Sequence, residues 1–250
     1  MIYFCIPSHD EARTIGVLLW KVRKVMAEFG RDYEVLVLDD ASTDGTAEVL
    51  ERYRSSLPLT VLRSEERLGY GCAVERLLRE AVKRAPYPKR DAAVVLQADF
   101  TEDPADVVDM VKALEGGADI VAGTDGERDE APRTVRWSRW LAERVLGDAR
   151  RGAPVSELLE GLRVYRIIVL KKAFREDDSR VVESRERWPA NVELMQRLAP
   201  HARRIEEVGV TVRHALRTRE SRFRPLRVLR GLVRFRGLDW STDDEAERAA

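Results

Sequence analysis

Short apolar runs of strand length, each followed by a segment of helical period, constrain this chain more than any other feature. Ile2–Ile6, Glu34–Leu38, Leu59–Arg63, Ala92–Gln97 and Ile120–Gly123 are runs of the kind that parallel strands buried on both faces require. Between the first two, Thr14–Phe29 carries Ile15, Leu18, Leu19, Val22, Val25 and Met26 at helical spacing, with Lys21, Arg23 and Lys24 on the other face. Thr46–Tyr53, Gly71–Arg84 and Pro104–Leu114 read as helices in their turn. Repeated strand–helix alternation predicts an α/β fold, a mostly parallel sheet flanked by helices on both faces.

In such sheets ligands bind beyond the carboxyl ends of the strands, so the residues that follow each run carry the chemistry. The first run leads into Pro7-Ser8-His9-Asp10-Glu11, the second into Asp39-Asp40-Ala41-Ser42-Thr43-Asp44-Gly45, and the fourth closes on Gln97-Ala98-Asp99. One such loop is ordinary turn and N-cap chemistry, and Asp44 to Thr46 serves the next helix start in that way. Polar groups after three successive runs at one sheet edge point to a binding site.

Charge narrows the field further. The 44 Lys+Arg residues balance 44 Asp+Glu over 250 residues, so the whole-molecule field does not favour nucleic acid as a partner. Cys5 and Cys72 lack a Cys-x-x-Cys pattern and read as reduced thiols. His9, His201 and His214 are scattered, which disfavours a zinc site, and no Gly-x-Ser-x-Gly elbow occurs. The opening residues lack the basic region of a signal peptide, and no stretch approaches the roughly 20 apolar residues of a membrane span, so a cytoplasmic location is expected.

At the level of motifs the chain resembles the family-two glycosyltransferases of the GT-A fold, and most closely their dolichyl- or polyprenyl-phosphate sugar transferase branch. Ile6-Pro7-Ser8-His9-Asp10-Glu11 is similar to the family's Pro-x-x-Asn-Glu, with Asp10 in place of Asn. Leu38 to Thr46 closely matches Val-Asp-Asp-Gly-Ser-Thr-Asp-Gly-Thr. Leu68 to Ala73 matches as well, and Glu157 to Arg166 resembles Asp-x-x-Ser-Gly-Phe-Arg-x-Tyr-Arg. The resemblance implies a GT-A domain over residues 1–222; beyond it the residue pattern reads as a basic amphipathic helical segment over 223–240 and an acidic, frayed tail over 241–250. It implies donor binding by Pro7, Ser8, Glu11, Asp39, Asp40, Gln97 and Ala98, with Asp40 accepting from base N–H groups. Gly69 and Gly71 are expected to permit a tight turn near the donor.

The family carries an Asp-x-Asp after the fourth strand whose carboxylates hold Mg²⁺ or Mn²⁺ against the donor diphosphate. Here that triplet is Gln97-Ala98-Asp99, and Thr101 stands where the family usually has Gln. Asp99 and Gln97 are the expected metal ligands, with one anionic ligand gone, and three readings are open: an altered metal requirement, compensation by the Asp39 and Glu11 carboxylates with ordinary turnover, or a non-catalytic relative.

On the acceptor side, Arg213 to Arg222 lies where the polyprenyl-phosphate branch carries Arg followed by Glu-Ser-Lys, which assigns Arg217 and Arg222 to phosphate contacts. Pro225 to Phe235 sets Leu226, Val228, Leu229, Leu232, Val233 and Phe235 among arginines, a basic amphipathic pattern suited to an anionic membrane surface or to the domain's own core. The implied activity is inverting transfer of a hexose from a UDP- or GDP-sugar to polyprenyl phosphate at the inner membrane face, alone or with a separate membrane partner. A hydroxyl acceptor is the alternative; it requires a base, for which Glu193 and Asp125 are the candidates. Arg175 to Arg187 is expected to be a mobile loop.

Overall fold

The computed structural model describes residues 1–125, 133–147, 153–176, 182–213, 225–236, 238 and 240. Seven strands form one sheet in the order β3-β2-β1-β4-β6-β5-β7. These are β1 (Ile2–Ser8), β2 (Tyr33–Asp40), β3 (Leu59–Ser64), β4 (Ala92–Val95), β5 (Ile120–Asp125), β6 (Arg163–Arg166) and β7 (Ile205–Val210). β1 pairs in parallel with β2 and β4, β2 with β3, and β5 with β7, whereas β6 runs antiparallel to both β4 and β5. The sheet is therefore mixed and mostly parallel, as the strand–helix alternation predicts.

Eight α-helices accompany it among the described residues: α1 (Ile15–Phe29), α2 (Thr46–Tyr53), α3 (Tyr70–Arg84), α4 (Val107–Glu115), α5 (Arg133–Leu146), α6 (Ile167–Glu176), α7 (Arg187–Leu198) and α8 (Pro225–Val233). β1 shows why both faces are covered. Ile2, Phe4 and Ile6 enter a core with Leu18 and Val22 of α1, Leu50 of α2 and Met110 of α4. Tyr3 and Cys5 point the other way, into a core with α3, α6, α7 and the buried faces of α5 and α8. Each large apolar side chain so buried contributes about 1.5–3 kcal/mol, and the period-two alternation distributes that burial across the two layers. Burial also pushes the Cys5 thiol well above its ordinary pKa, as befits an inert core residue.

Local chemistry sets the element ends. α1 stops at Gly30, whose left-handed backbone (φ 67°) lets its N–H reach the Met26 carbonyl. Pro7 sits within β1 past the last pairing with β4, Cys5 with Val95, so its missing N–H costs that side no ladder bond. The helix expected over Pro104–Leu114 opens as one 3₁₀ turn, Pro104–Asp106, capped by the Asp103 carboxylate accepting from Ala105 N at 2.9 Å. No helix among the described residues is long and apolar enough to cross a membrane.

Candidate active site

The edge formed by the carboxyl ends of β3, β2, β1 and β4 gathers the residues that the strand-end argument singles out. Three of the turns that leave these strands place a non-glycine residue in the left-handed region: Asp10 (φ 50°) after β1, Ala41 (φ 54°) after β2 and Phe100 (φ 59°) after β4. Such positions cost of order 1 kcal/mol or more each and persist where surrounding bonds over-determine them. Those bonds are present. The loops after β1 and β2 interlock, with Ser42 Oγ accepting from Asp10 N at 2.9 Å, Asp10 Oδ1 accepting from Thr43 N at 2.7 Å, and Thr46 Oγ1 accepting from Glu11 N at 2.8 Å. His9 Nδ1 donates to the Asp40 carbonyl at 2.7 Å, and the Glu11 carboxylate accepts from Thr14 Oγ1 at 2.9 Å.

The two aspartates of the Asp39-Asp40 pair have different duties. Asp40 accepts from Leu68 N at 2.6 Å and Gly69 N at 3.0 Å, so both its oxygens hold the loop that enters α3. Asp39 Oδ1 accepts from Ser42 N at 3.1 Å, while its buried Oδ2 has no hydrogen-bond partner and lies 3.8 Å from Arg63 Nε. Ser8, paired with Asp39 in the β1–β2 register, has a buried Oγ that is likewise without a partner. Buried polar atoms are nearly always satisfied, so two orphans in register at strand ends mark a place that a ligand completes. Pro7 belongs to the same strand end and Ala98 lies buried beside Gln97.

Gly69 and Gly71 serve packing, as expected for a tight turn. Gly69 has φ 90°, and a Cβ on Gly71 would lie 2.1 Å from the Ser184 carbonyl oxygen. That contact belongs to the loop read as mobile. Its residues 177–181 lie outside the described residues, but 182–186 are fastened: Glu183 N and Ser184 N donate to the two oxygens of Glu193 at 2.9 and 3.0 Å, and Val182 N donates to Glu75. Glu193 is therefore a buried brace for this loop, each oxygen accepting one backbone N–H. Asp125 is buried at the end of β5, in register with Val210 of β7, on the far side of β6.

At the end of β4 the structure adds residues that the motif reading missed. Gln97 Oε1 accepts from Arg187 at 2.6 Å, and Gln97 Nε2 donates to Glu102 Oε1 at 2.7 Å. Arg187 also donates to Glu160 Oε2 at 2.9 Å, and Glu160 in turn receives Arg139, which bonds Glu157 at 2.8 Å. Burial drives the Glu102 pKa up to about 7, against the lowering effect of Arg187. Burial opposes the charge on Arg187, but Glu160 and Glu102 outweigh it and its pKa rises. The signal for Glu160 was present in the sequence, since it occupies the serine position of the Asp-x-x-Ser-Gly pattern.

These contacts test the fit of a divalent cation. Such ions take oxygen ligands and manage with one or two carboxylates when a phosphate ligand and waters complete the shell. Asp99, whose Oδ1 accepts from Thr101 N and Oγ1, supplies a carboxylate at the strand end. Gln97 Oε1, the second ligand atom expected, already accepts from Arg187, whose positive charge disfavours a cation on the same oxygen. Among the described residues no group of three or more His, Cys, Asp or Glu side chains is arranged to hold a metal. The fit is that of a cation shared with a bound phosphate. Arg217 and Arg222 lie outside the described residues.

A mostly parallel sheet with a polar edge at its strand ends belongs to the α/β class that binds ligands at that edge, and comparison with known proteins names the family. The chain belongs to glycosyl transferase family 2, whose model matches residues 3–174. It is 29% identical over 119 residues to dolichol-phosphate mannosyltransferase of Pyrococcus furiosus, covering 48% of this chain and 31% of that protein. It is 24% identical over 170 residues to dodecaprenyl-phosphate galacturonate synthase of Rhizobium johnstonii, covering 67% and 48%. The chain thus spans about a third to a half of the length of these curated relatives. Among crystal structures, glucosyl-3-phosphoglycerate synthase of Mycobacterium tuberculosis with Mn²⁺, UDP and glucosyl-3-phosphoglycerate superposes with a TM-score of 0.61 at 21% identity, covering 94% of this chain and 76% of that one. TarS of S. aureus with UDP-GlcNAc gives 0.56 at 16% identity, covering 88% and 61%. The fold is GT-A and the chain is a glycosyltransferase by family.

Proposed function

We propose that this protein transfers a hexose from a UDP- or GDP-sugar to a polyprenyl phosphate, with inversion at the anomeric carbon, at the cytoplasmic face of a membrane. The observation that carries the donor half is the register pair Ser8 and Asp39, whose partnerless buried oxygens suit the N–H and O–H groups of a nucleoside. The acceptor half is supported by the relatives, named for dolichol- and dodecaprenyl-phosphate chemistry. A hydroxyl acceptor needs a base, and of the two candidates Glu193 carries two backbone N–H bonds while Asp125 lies at the end of β5. A phosphate monoester is ionised at neutral pH and attacks without one.

In this reading the phosphate oxygen forms the new bond to the anomeric carbon from the face opposite the departing nucleoside diphosphate, whose C–O bond breaks. A divalent cation, when bound at Asp99, supplies Lewis-acid neutralisation of the diphosphate. The protein holds the base end at Ser8 and Asp39 and presents the guanidinium of Arg187 beside Asp99; Arg217 and Arg222 are the proposed phosphate contacts. Preorganised charge and position, not proton transfer, carry the rate.

The membrane part rests on two helices that pack against each other and on the same core. α8 buries Val228 and Leu232 and exposes Leu226 (83%), Arg227 and Arg230; α5 buries Ala142 and Leu146 and exposes Trp137 (59%) and Trp140 (54%). Exposed tryptophan beside arginine suits the headgroup layer of an anionic bilayer.

The test is turnover of radiolabelled UDP- and GDP-sugars by purified protein with polyprenyl phosphate in detergent, with Mg²⁺, Mn²⁺ or EDTA. Label entering the organic phase is the expected result. Label that stays aqueous while a nucleotide-sugar still binds overturns the lipid-phosphate acceptor and favours a hydroxyl acceptor or a non-catalytic binding protein.

A further inference from the structure

Two positions of this chain depart from the motif patterns of its family in opposite senses, and the structure joins them through one side chain. Gln97 stands at the first aspartate of Asp-x-Asp, a carboxylate lost; Glu160 stands at the serine of Asp-x-x-Ser-Gly, a carboxylate gained. Arg187 donates to both, at 2.6 Å to Gln97 Oε1 and 2.9 Å to Glu160 Oε2. We propose that Gln97 and Glu160 are a compensating pair: the carboxylate missing from the end of β4 is re-sited at Glu160, and the two side chains together position the Arg187 guanidinium. Gln97 then belongs to a working site and is no mark of decay. The inference rests on the donor-site reading of this sheet edge.

Local charge and hydrogen bonding support the exchange. Counting Asp99, which also acts on Arg187, the guanidinium would face three acidic groups with Asp at 97 and Ser at 160, at 97, 99 and 102; with Gln97 and Glu160 it again faces three, at 99, 102 and 160, the last shared with Arg139. The amide is also what position 97 needs. Its Nε2 donates to Glu102 Oε1 at 2.7 Å while its backbone N donates to Oε2 at 2.9 Å. A carboxylate there would oppose Glu102 acceptor to acceptor, and with Glu160 retained it would add a fourth acidic group to Asp99, Glu102 and Glu160 around one guanidinium, an arrangement that like-charge repulsion disfavours. Glu102 and Glu160 are both buried, so water screens that repulsion little. Arg187 keeps 26% of its side chain open, which leaves part of it facing outward from the cluster.

The experiment is a four-protein cycle: wild type, Gln97→Asp, Glu160→Ser and the double variant. Affinity for UDP and for GDP is measured calorimetrically with Mn²⁺, and thermal midpoints are measured without nucleotide. Each single variant is expected to bind the better nucleotide at least about tenfold more weakly than wild type, and the double variant to return to within about threefold, the signature of direct coupling. Should Glu160→Ser fail to fold, Glu160→Gln and Gln97→Asp/Glu160→Gln replace it. Wild-type-like or tighter binding by Gln97→Asp alone overturns the proposal, as does a double variant no better than Gln97→Asp. If wild type binds neither nucleotide, the donor reading fails by itself; the thermal midpoints still decide the pair, supporting it if the double variant melts above Gln97→Asp and refuting it otherwise.

Discussion

Asp39 shows how much a single side chain can be asked to do at a strand end. Its Oδ2 is buried without a hydrogen-bond partner, a state that costs roughly 1–3 kcal/mol until a ligand completes it. Asp39→Asn is therefore expected to weaken nucleoside-diphosphate binding roughly 10- to 100-fold with little change in fold, since bonds to charged groups are worth about 1.5–3 kcal/mol; calorimetric titration checks it. Ala41 makes a complementary case. It holds φ 54° where the family pattern has glycine, so Ala41→Gly should stabilise the protein by about 1 kcal/mol and raise the thermal midpoint by about 2–4 °C. Glu102 adds a pH dependence. Its pKa is raised from 4.5 to about 7 in the folded protein, mainly by burial and further by Glu160, with Arg187 and the two Gln97 bonds pulling the other way. Between those values the folded state binds more protons than the unfolded one, so this group's contribution is present below pH 4.5 and is lost as pH rises through 7. In urea titrations at pH 5 and pH 7.5, Glu102→Gln should lose less stability between the two than wild type does. The motif residues at the ends of β1, β2 and β4 were legible because their spacing survives in the chain. Arg187 was not, because it meets Gln97 from 90 positions away and sits at the end of a polar stretch whose composition reads as loop.

Among the elements, the central strands and α1 to α4 were legible from periodicity, with ends within a few residues of those observed. β6 escaped because it has only four residues, Arg-Val-Tyr-Arg, and its arginines are not surface charges. Arg163 is buried and donates to the Asn191 and Leu158 carbonyls, and Arg166 donates to Asp119 and to the Leu114 and Ala118 carbonyls. Arg163 and Arg166, three apart, fall on opposite faces of the strand, so no period-two pattern marks it, and hydrogen bonds to backbone stand in for water at both. The start of α3 carries the sharpest steric demand. Gly71→Ala sets a Cβ against the Ser184 oxygen, Val182 and Ala190, and overpacking of this kind costs about 1–3 kcal/mol. The thermal midpoint should fall by about 3–10 °C, and limited proteolysis should find the 182–186 segment cleaved faster.

For the whole molecule, the helices divide between two tasks. α1, α2 and α4 cover one sheet face, and on the other α5 and α8 turn exposed tryptophan and arginine outward. Charge reversal at Arg227 and Arg230 together should reduce sedimentation with phosphatidylglycerol vesicles at least tenfold, at about 1 kcal/mol per basic residue, and leave nucleotide affinity intact. Unchanged sedimentation would remove the membrane from this face. The left-handed turns at Asp10, Ala41 and Phe100 have a kinetic consequence as well. Their backbone is fixed by the fold itself, so in the proposed reading a nucleotide meets these three turns already ordered. Capture by such turns is a collision problem and is much alike for every nucleotide of similar charge. Selectivity between donors is then a matter of how long each one stays.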